Sequence, residues 1–85
     1  MEVIYMTMIL QNADLYLNLK RLRQSSGLSQ YELVAQMQLL GSTMSRSTYA
    51  KIEQGSRNIK VTDIVALKRI YNVEFSEFFE GIGTC

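Results

Sequence analysis

The sequence predicts an all-α fold: a compact domain of five short helices, preceded by a short extended N-terminal arm. Apolar residues recur at helical spacing in several segments, and the connections between those segments are brief. The chain contains no proline, so glycines and small polar residues mark the predicted helix ends. Its 85 residues suffice for one domain with a single modest core. Hydrophobic residues make up 47% and charged residues 20%, as in globular rather than disordered chains.

Residues 1–11 are predicted to form the arm, strand-like or disordered, because their β-branched and aromatic content suits a short strand. The apolar run lacks a basic start and a small-residue cleavage site, so we expect no signal peptide, and it is too short to span a membrane. Met6 and Met8 leave open whether residues 1–7 belong to the translated start. The helical domain is assigned to residues 12–80, and residues 81–85 form a tail.

The first two helices have distinct end signals. Helix one begins near Asn12 or Asp14 and stops at residues 25–27, which end in glycine. Its apolar stripe consists of Leu15, Leu19 and Leu22. Helix two begins after Ser29, which forms a capping box with Glu32, and runs to about residue 39.

The remaining helices follow the same logic. After a turn at residues 40–44, Ser45 caps helix three, which ends before Gly55. Thr62 is the predicted cap of helix four, which ends at Asn72. Its stripe is Ile64 or Val65, Leu67 or Lys68, and Ile70 or Tyr71. A fifth helix covers residues 75–79, and we expect it to fray because Glu74 is a poor cap.

Charge is distributed unevenly although the net charge is only +1. Residues 20–60 hold seven basic and two acidic side chains, a local net charge of +5. The charged side chains of residues 74–80 are all acidic. This pattern predicts one surface that faces phosphates, although ordinary charge scatter would also produce it. Helix three adds a polar and basic face opposite an apolar one, which is typical of a helix that enters the DNA major groove.

The chain lacks the residues that several classes of functional site require. The chain has one cysteine, Cys85, and no histidine, which excludes the usual nitrogen and sulfur zinc sites and histidine-based catalytic dyads. No glycine-rich phosphate-binding pattern occurs. We therefore expect a protein that is not an enzyme and needs no metal or cofactor. A single thiol forms no internal disulfide, and we expect a cytoplasmic location.

The order and spacing of these segments resemble the Cro and phage-repressor type of helix-turn-helix protein, the XRE family, over roughly residues 17–80. The segments that match are Leu19-Lys20-Arg21-Leu22-Arg23, Gly27-Leu28-Ser29-Gln30, Ser45-Arg46-Ser47-Thr48-Tyr49, Lys51-Ile52-Glu53-Gln54-Gly55, Tyr71-Asn72-Val73 and Phe78-Phe79. The resemblance implies a lambda-repressor-like fold. The chain departs from most members in its longer turn, residues 38–44, which a subset of the family shares and which affects how helix three docks.

The resemblance also implies double-stranded DNA as the partner, with residues 45–54 as the helix in the major groove. The residues at base-contacting positions are Arg46, Ser47 and Lys51. The residues at DNA-backbone positions are Gln30, Ser45, Thr48, Arg57 and Asn58. Arg46 is the sharpest candidate, because a guanidinium fork matches guanine O6 and N7.

Other positions take internal roles in the family. Arg23 and Glu53 correspond to an ion pair between helices one and three, and Tyr49 and Ile52 to core positions. Lys20 and Arg21 are expected to be solvated charges. A homodimer surface is expected among the apolar residues of the C-terminal end, while pairing of the N-terminal arms remains an alternative. These residues are Phe75, Phe78, Phe79 and Ile82.

The resulting hypothesis is a dimeric transcriptional repressor that binds a palindromic operator. The alternative is an antitoxin-like or other interaction module that uses the same fold to bind a partner protein. Apolar residues near both termini favour that alternative, although core packing also accounts for them.

Overall fold

The computed structural model describes residues 8–9 and 14–81, which form four α-helices, one 3₁₀ helix and two short strands. The elements in chain order are β1 (Met8–Ile9), α1 (Leu15–Ser26), α2 (Gln30–Leu39), α3 (Arg46–Glu53), β2 (Ile59–Lys60), α4 (Val61–Tyr71) and the 3₁₀ helix (Phe75–Phe79). The predictions for residues 1–7, for Asn12 and for Ile82 lie outside the described residues. Within the described part, no helix combines the length and apolar character needed to cross a membrane.

The ends of α1 and α2 follow the predicted signals. Helix α1 stops at Ser26 because Gly27 adopts φ 80°, a left-handed conformation that glycine tolerates best. The capping box of α2 is confirmed. The Ser29 hydroxyl accepts a hydrogen bond from the Glu32 amide at 3.0 Å, and the Glu32 carboxylate accepts one from the Ser29 amide at 2.9 Å. These two bonds satisfy amides that the first turn of a helix leaves without partners.

The start of α4 differs from the prediction. The helix begins at Val61, so Thr62 lies in its first turn and does not cap it. The residue before the helix, Lys60, is still in the two-stranded antiparallel sheet, where it pairs with Met8. The extended backbone of β2 therefore runs directly into α4, and the strand rather than a hydroxyl cap defines the helix start.

The predicted fifth helix is a 3₁₀ helix, which gives four α-helices rather than five. It spans five residues, and the amide of Glu77 bonds the carbonyl of Glu74 at 3.0 Å, the i→i+3 pattern of a 3₁₀ turn. Glu74 makes no side-chain cap, as expected for glutamate at that position. A segment of five residues without a side-chain cap gains too little to offset the cost of starting an α-helix, so it remains a 3₁₀ helix.

One hydrophobic core joins all four α-helices and the 3₁₀ helix. Its largest fully buried side chains are Tyr49, Phe78, Leu15, Leu19, Leu33, Met37, Ile52, Ile59 and Leu67. On α4, Ile64 and Leu67 face this core, whereas Val65 is exposed. Phe78 is 0% exposed, so its place in the predicted dimer surface was wrong. Its ring fills the space between the 3₁₀ helix and the rest of the core and is not available to a second protomer.

Candidate nucleic-acid interface

Helix α3 has one buried and one exposed side. Tyr49, Ile52 and Glu53 are buried, whereas Arg46, Ser47 and Lys51 are exposed. Because successive residues turn by about 100° around a helix, the three exposed positions share one side. All three predicted base-contacting residues therefore lie on one accessible surface of the molecule.

Gln54 extends this exposed side of α3, although the sequence analysis did not include it among the candidate site residues. It is exposed and follows Ser47 by seven positions and Lys51 by three, the spacing of residues on one helical face. That spacing was available in the sequence, but the residue was assigned to the helix end. Gln54 is the C-terminal cap position of α3. A glutamine amide can donate to and accept from an adenine edge, so it belongs among the candidate DNA-contacting residues.

The first turn of α3 is organised by hydroxyl groups. The Ser45 hydroxyl oxygen accepts a hydrogen bond from the Thr48 amide at 3.2 Å, so Ser45 is the helix cap, as expected. The same hydroxyl donates to the Thr48 hydroxyl oxygen at 2.9 Å. Thr48 thereby keeps its own hydroxyl proton to donate outward, for example to a phosphate oxygen.

Three of the predicted backbone-contacting residues line one cleft beside the start of α3. The cleft has a volume of about 130 Å³. Its lining consists of Thr43, Met44, Ser45, Thr48, Arg57, Lys60 and Asp63. Lys60 and Thr43 were not predicted, because the sequence gives no sign that β2 and the long turn meet here. The two cations outnumber the one acid, Asp63, which is buried and bonded to Ser42. Together with the two helix-start hydroxyls, these cations form a surface suited to a phosphate. Asn58, half buried before β2, does not line this cleft.

Gln30 lies at the other end of α3. Its side-chain amide donates to Glu53 Oε1 at 3.1 Å. The same carboxylate forms a bidentate pair with Arg23, whose Nε donates to Oε2 at 2.7 Å and whose Nη2 donates to Oε1 at 3.1 Å. The first residue of α2 is thus held against the last residue of α3, and α1 is joined to both.

Burial and hydrogen bonding act in opposite directions on the carboxylate of Glu53, a residue that is 6% exposed as a whole. Burial alone would raise its pKa, but the hydrogen bonds, above all that from Arg23, outweigh burial and the pKa is lowered. The hydrogen bond to Glu53 raises the pKa of Arg23 in turn, against the effect of its own burial. Both groups are charged at neutral pH. Burial also raises the pKa of Tyr49 and of Tyr71, so both phenols stay neutral.

The acidic end of the chain is packed against α1. Arg21 donates to the carbonyl of Glu77 at 3.1 Å and lies 3.6 Å from the Glu80 carboxylate. Asn18, one turn earlier, donates to the carbonyls of Phe78 and Glu80 at 3.0 and 2.9 Å. Arg21 is therefore paired rather than simply solvated. Its charge therefore serves the fold.

Comparison with known proteins agrees with this geometry. A family model described as a helix-turn-helix domain matches residues 17–77, most of the chain. The chain belongs to the helix-turn-helix domain family. No curated protein and no solved structure matches it significantly.

The helix-turn-helix unit consists of α2, the connection at residues 40–45, and α3. Family membership indicates DNA binding in a regulatory role. In the described residues, no three histidine, cysteine, aspartate or glutamate side chains meet at one point where they could hold a metal ion.

Proposed function

We propose that this protein binds double-stranded DNA with sequence specificity, with α3 in the major groove, and acts as a transcriptional regulator. The observation that carries the proposal is the exposed polar side of α3 between two sets of candidate phosphate contacts. The cleft lies beside the start of α3, and Gln30 lies beside its end. A major groove is bordered by two phosphate backbones, so a helix inserted between them needs contacts on both sides.

The candidate DNA-contacting side chains divide into two roles. Arg46 donates to a guanine edge, and Ser47 and Lys51 contact neighbouring bases. Arg57 and Lys60, on the cleft, bind phosphate oxygens and fix the register of the helix without contributing base preference. Gln30 uses the second N–H of its amide for a phosphate, since the first is donated to Glu53.

We assign the protein to the Cro and phage-repressor subtype, acting as a cytoplasmic homodimer. The sequence motifs support the subtype, as does the order of the helices around the buried Phe78. Phe75 and Phe79 are 44% and 38% exposed on the 3₁₀ helix and supply an apolar dimer surface. A twofold dimer places two copies of α3 about 34 Å apart, one turn of DNA, on a palindromic operator. Occupying a promoter in this way represses transcription.

The direct test is selection of binding sites from a pool of random-sequence duplexes at physiological salt. The proposal predicts an enriched palindrome with half-sites about one helical turn apart. Circular dichroism of the same sample establishes that the protein is folded. Failure of the folded protein to enrich any sequence would contradict the proposal.

A protein-interaction module is the second candidate, and one observation favours it. Leu39 is 86% exposed at the end of α2. It lies in a groove of about 560 Å³ whose other lining residues are Gln36, Leu40, Arg69 and Ile70. Large apolar side chains in a groove are typical of protein contacts. Co-purification of an untagged partner that is lost in Leu39→Ser but retained in Arg46→Ala would favour this second function.

A further inference from the structure

The connection between α2 and α3 is long for a helix-turn-helix unit, yet the residue before the cap of α3 is held on both sides. The backbone amide of Met44 donates to the Ser42 hydroxyl at 3.0 Å. The backbone carbonyl of Met44 accepts from the Gln38 side chain at 2.8 Å. The Met44 side chain is buried in the core. Side chains thus satisfy both polar backbone groups of this residue, where regular secondary structure offers no partner.

Ser42 is in turn fixed to a different helix. Its hydroxyl donates to Asp63 Oδ1 at 2.8 Å. Asp63 is buried in the first turn of α4. A chain of two hydrogen bonds therefore runs from α4 through Ser42 to the backbone at the start of α3.

Helix α3 needs such a constraint because it is short and attached firmly at its other end. It has eight residues, a length of about 12 Å at 1.5 Å per residue. Glu53, its last residue, is held by Arg23 and Gln30. The first turn of α3 carries Arg46 and Ser47, so a small tilt of the helix about its fixed end would displace both side chains.

We propose that Asp63, acting through Ser42, is a positioning residue that sets the orientation of α3 for base contact. This inference rests on the proposed DNA-binding function. Asp63 touches no base in this arrangement. It compensates for the long connection by tying the backbone just before α3 to α4.

The test uses Ser42→Ala and Asp63→Ala in the full chain, with Ser42→Thr as the conservative variant that keeps the hydroxyl. Hydrogen exchange of the Met44 and Thr48 amides reports the order of the helix start without DNA. Affinity for the duplex that the wild type selects, divided by affinity for a scrambled duplex, reports base contact. All affinities are measured well below each variant's melting temperature, so that a loss of stability alone leaves the ratio unchanged.

We expect both alanine variants to exchange these two amides faster and to lose roughly 3- to 30-fold in the affinity ratio. Binding to the scrambled duplex should stay the same in Ser42→Ala, because Ser42 does not line the proposed phosphate-binding cleft. Ser42→Thr should keep the wild-type exchange rates of these amides and the wild-type affinity ratio. An affinity ratio unchanged in both alanine variants would overturn the inference, as would unchanged exchange. If the wild type selects no duplex, the DNA-binding proposal fails by that result alone, and the exchange data still decide whether the pair positions α3.

Discussion

Arg23 on α1 and Glu53 at the end of α3 form a bidentate ion pair, with Nε donating to Oε2 at 2.7 Å and Nη2 to Oε1 at 3.1 Å. The two side chains are 13% and 3% exposed, so water screens the pair weakly. Arg23 also donates to the carbonyl of Leu28 at 2.8 Å, which holds the connection between α1 and α2. One guanidinium thus joins α1, the α1–α2 connection and α3.

Glu53→Gln should lower the free energy of unfolding by about 3 kcal/mol at pH 7. Removing one partner of a buried pair leaves the other charge uncompensated, which typically costs about 3–5 kcal/mol. Glutamine keeps one acceptor oxygen, which places the expected loss at the low end. Urea denaturation of both proteins measures the difference, and an unchanged midpoint would contradict a buried, stabilising pair.

Glu80→Gln is the matched control for that variant. It removes the same charge from a pair with Arg21, but there the side chains are 44% and 69% exposed. Exposed pairs contribute about 0–1 kcal/mol, so little change is expected. Equal losses for the two variants would show that net charge, not burial of the Arg23–Glu53 pair, sets the effect.

The same pair predicts a pH dependence of stability. The pKa of Glu53 in the folded protein lies below its ordinary value of 4.5, so ionisation of Glu53 favours the folded state. Its contribution is complete above pH 4.5 and is lost as the pH falls through the folded-state pKa. The difference in unfolding free energy between wild type and Glu53→Gln should therefore shrink below about pH 4. A difference that stays constant from pH 7 to pH 3 would contradict the lowered pKa.

Gly55→Ala should destabilise the protein more than Gly27→Ala, although both glycines have φ near 80°. The left-handed backbone alone costs alanine about 1–2 kcal/mol at either position. At Gly55 a Cβ would also lie 2.9 Å from Cδ1 of the Tyr16 ring, whereas at Gly27 it would meet nothing within 4 Å. Overpacking of this kind adds about 1–3 kcal/mol. Thermal denaturation checks the order, and adding Tyr16→Ala should remove the excess cost at Gly55.

The sequence predicted local features well because their causes are local. The capping box at Ser29 and Glu32 depends on residues three apart, and the glycine that ends α1 depends on its own backbone freedom. The start of α4 was wrong for the opposite reason. Its boundary depends on pairing between Lys60 and Met8, residues far apart in the chain, which no local signal reveals.

The candidate site was predictable where it follows helical spacing. Arg46, Ser47 and Lys51 share one exposed side because the periodicity of α3 requires it. The cleft was not predictable, since it brings Lys60 from β2 and Thr43 from the long turn beside Thr48. Nor could spacing distinguish Phe78, which is buried, from the exposed Phe75. Only the packing of the 3₁₀ helix on α1 separates those two residues.

Arg57→Gln should weaken binding to all duplexes about equally and reduce the salt dependence of binding. Each phosphate contact contributes a slope of about −0.9 in log K against log salt, so the magnitude should fall by about that amount per protomer. Arg69→Gln removes the same charge from an exposed position on α4 and should leave the slope unchanged. Fluorescence anisotropy titrations at several salt concentrations measure both. Identical slopes for the two variants would exclude Arg57 from the phosphate contacts.

Replacing both Phe75 and Phe79 by serine should convert a dimer to a monomer, because their exposed rings form the proposed apolar surface. Sedimentation equilibrium at micromolar concentration measures the change. Leu39→Ser removes another exposed apolar side chain and should leave the assembly intact. A wild-type protein that is monomeric both with and without DNA would contradict the dimer.

We propose that the exposed side of α3 determines base preference, and Arg46→Ala is the sharpest test of that role. Three proteins each select sites from the same random duplex pool: the wild type, Arg46→Ala and Arg69→Ala. The two variants each remove one exposed arginine. We expect Arg46→Ala alone to lose preference at one base pair of each half-site and about 1–3 kcal/mol of affinity for the wild-type site. Identical base preferences in all three proteins would contradict it.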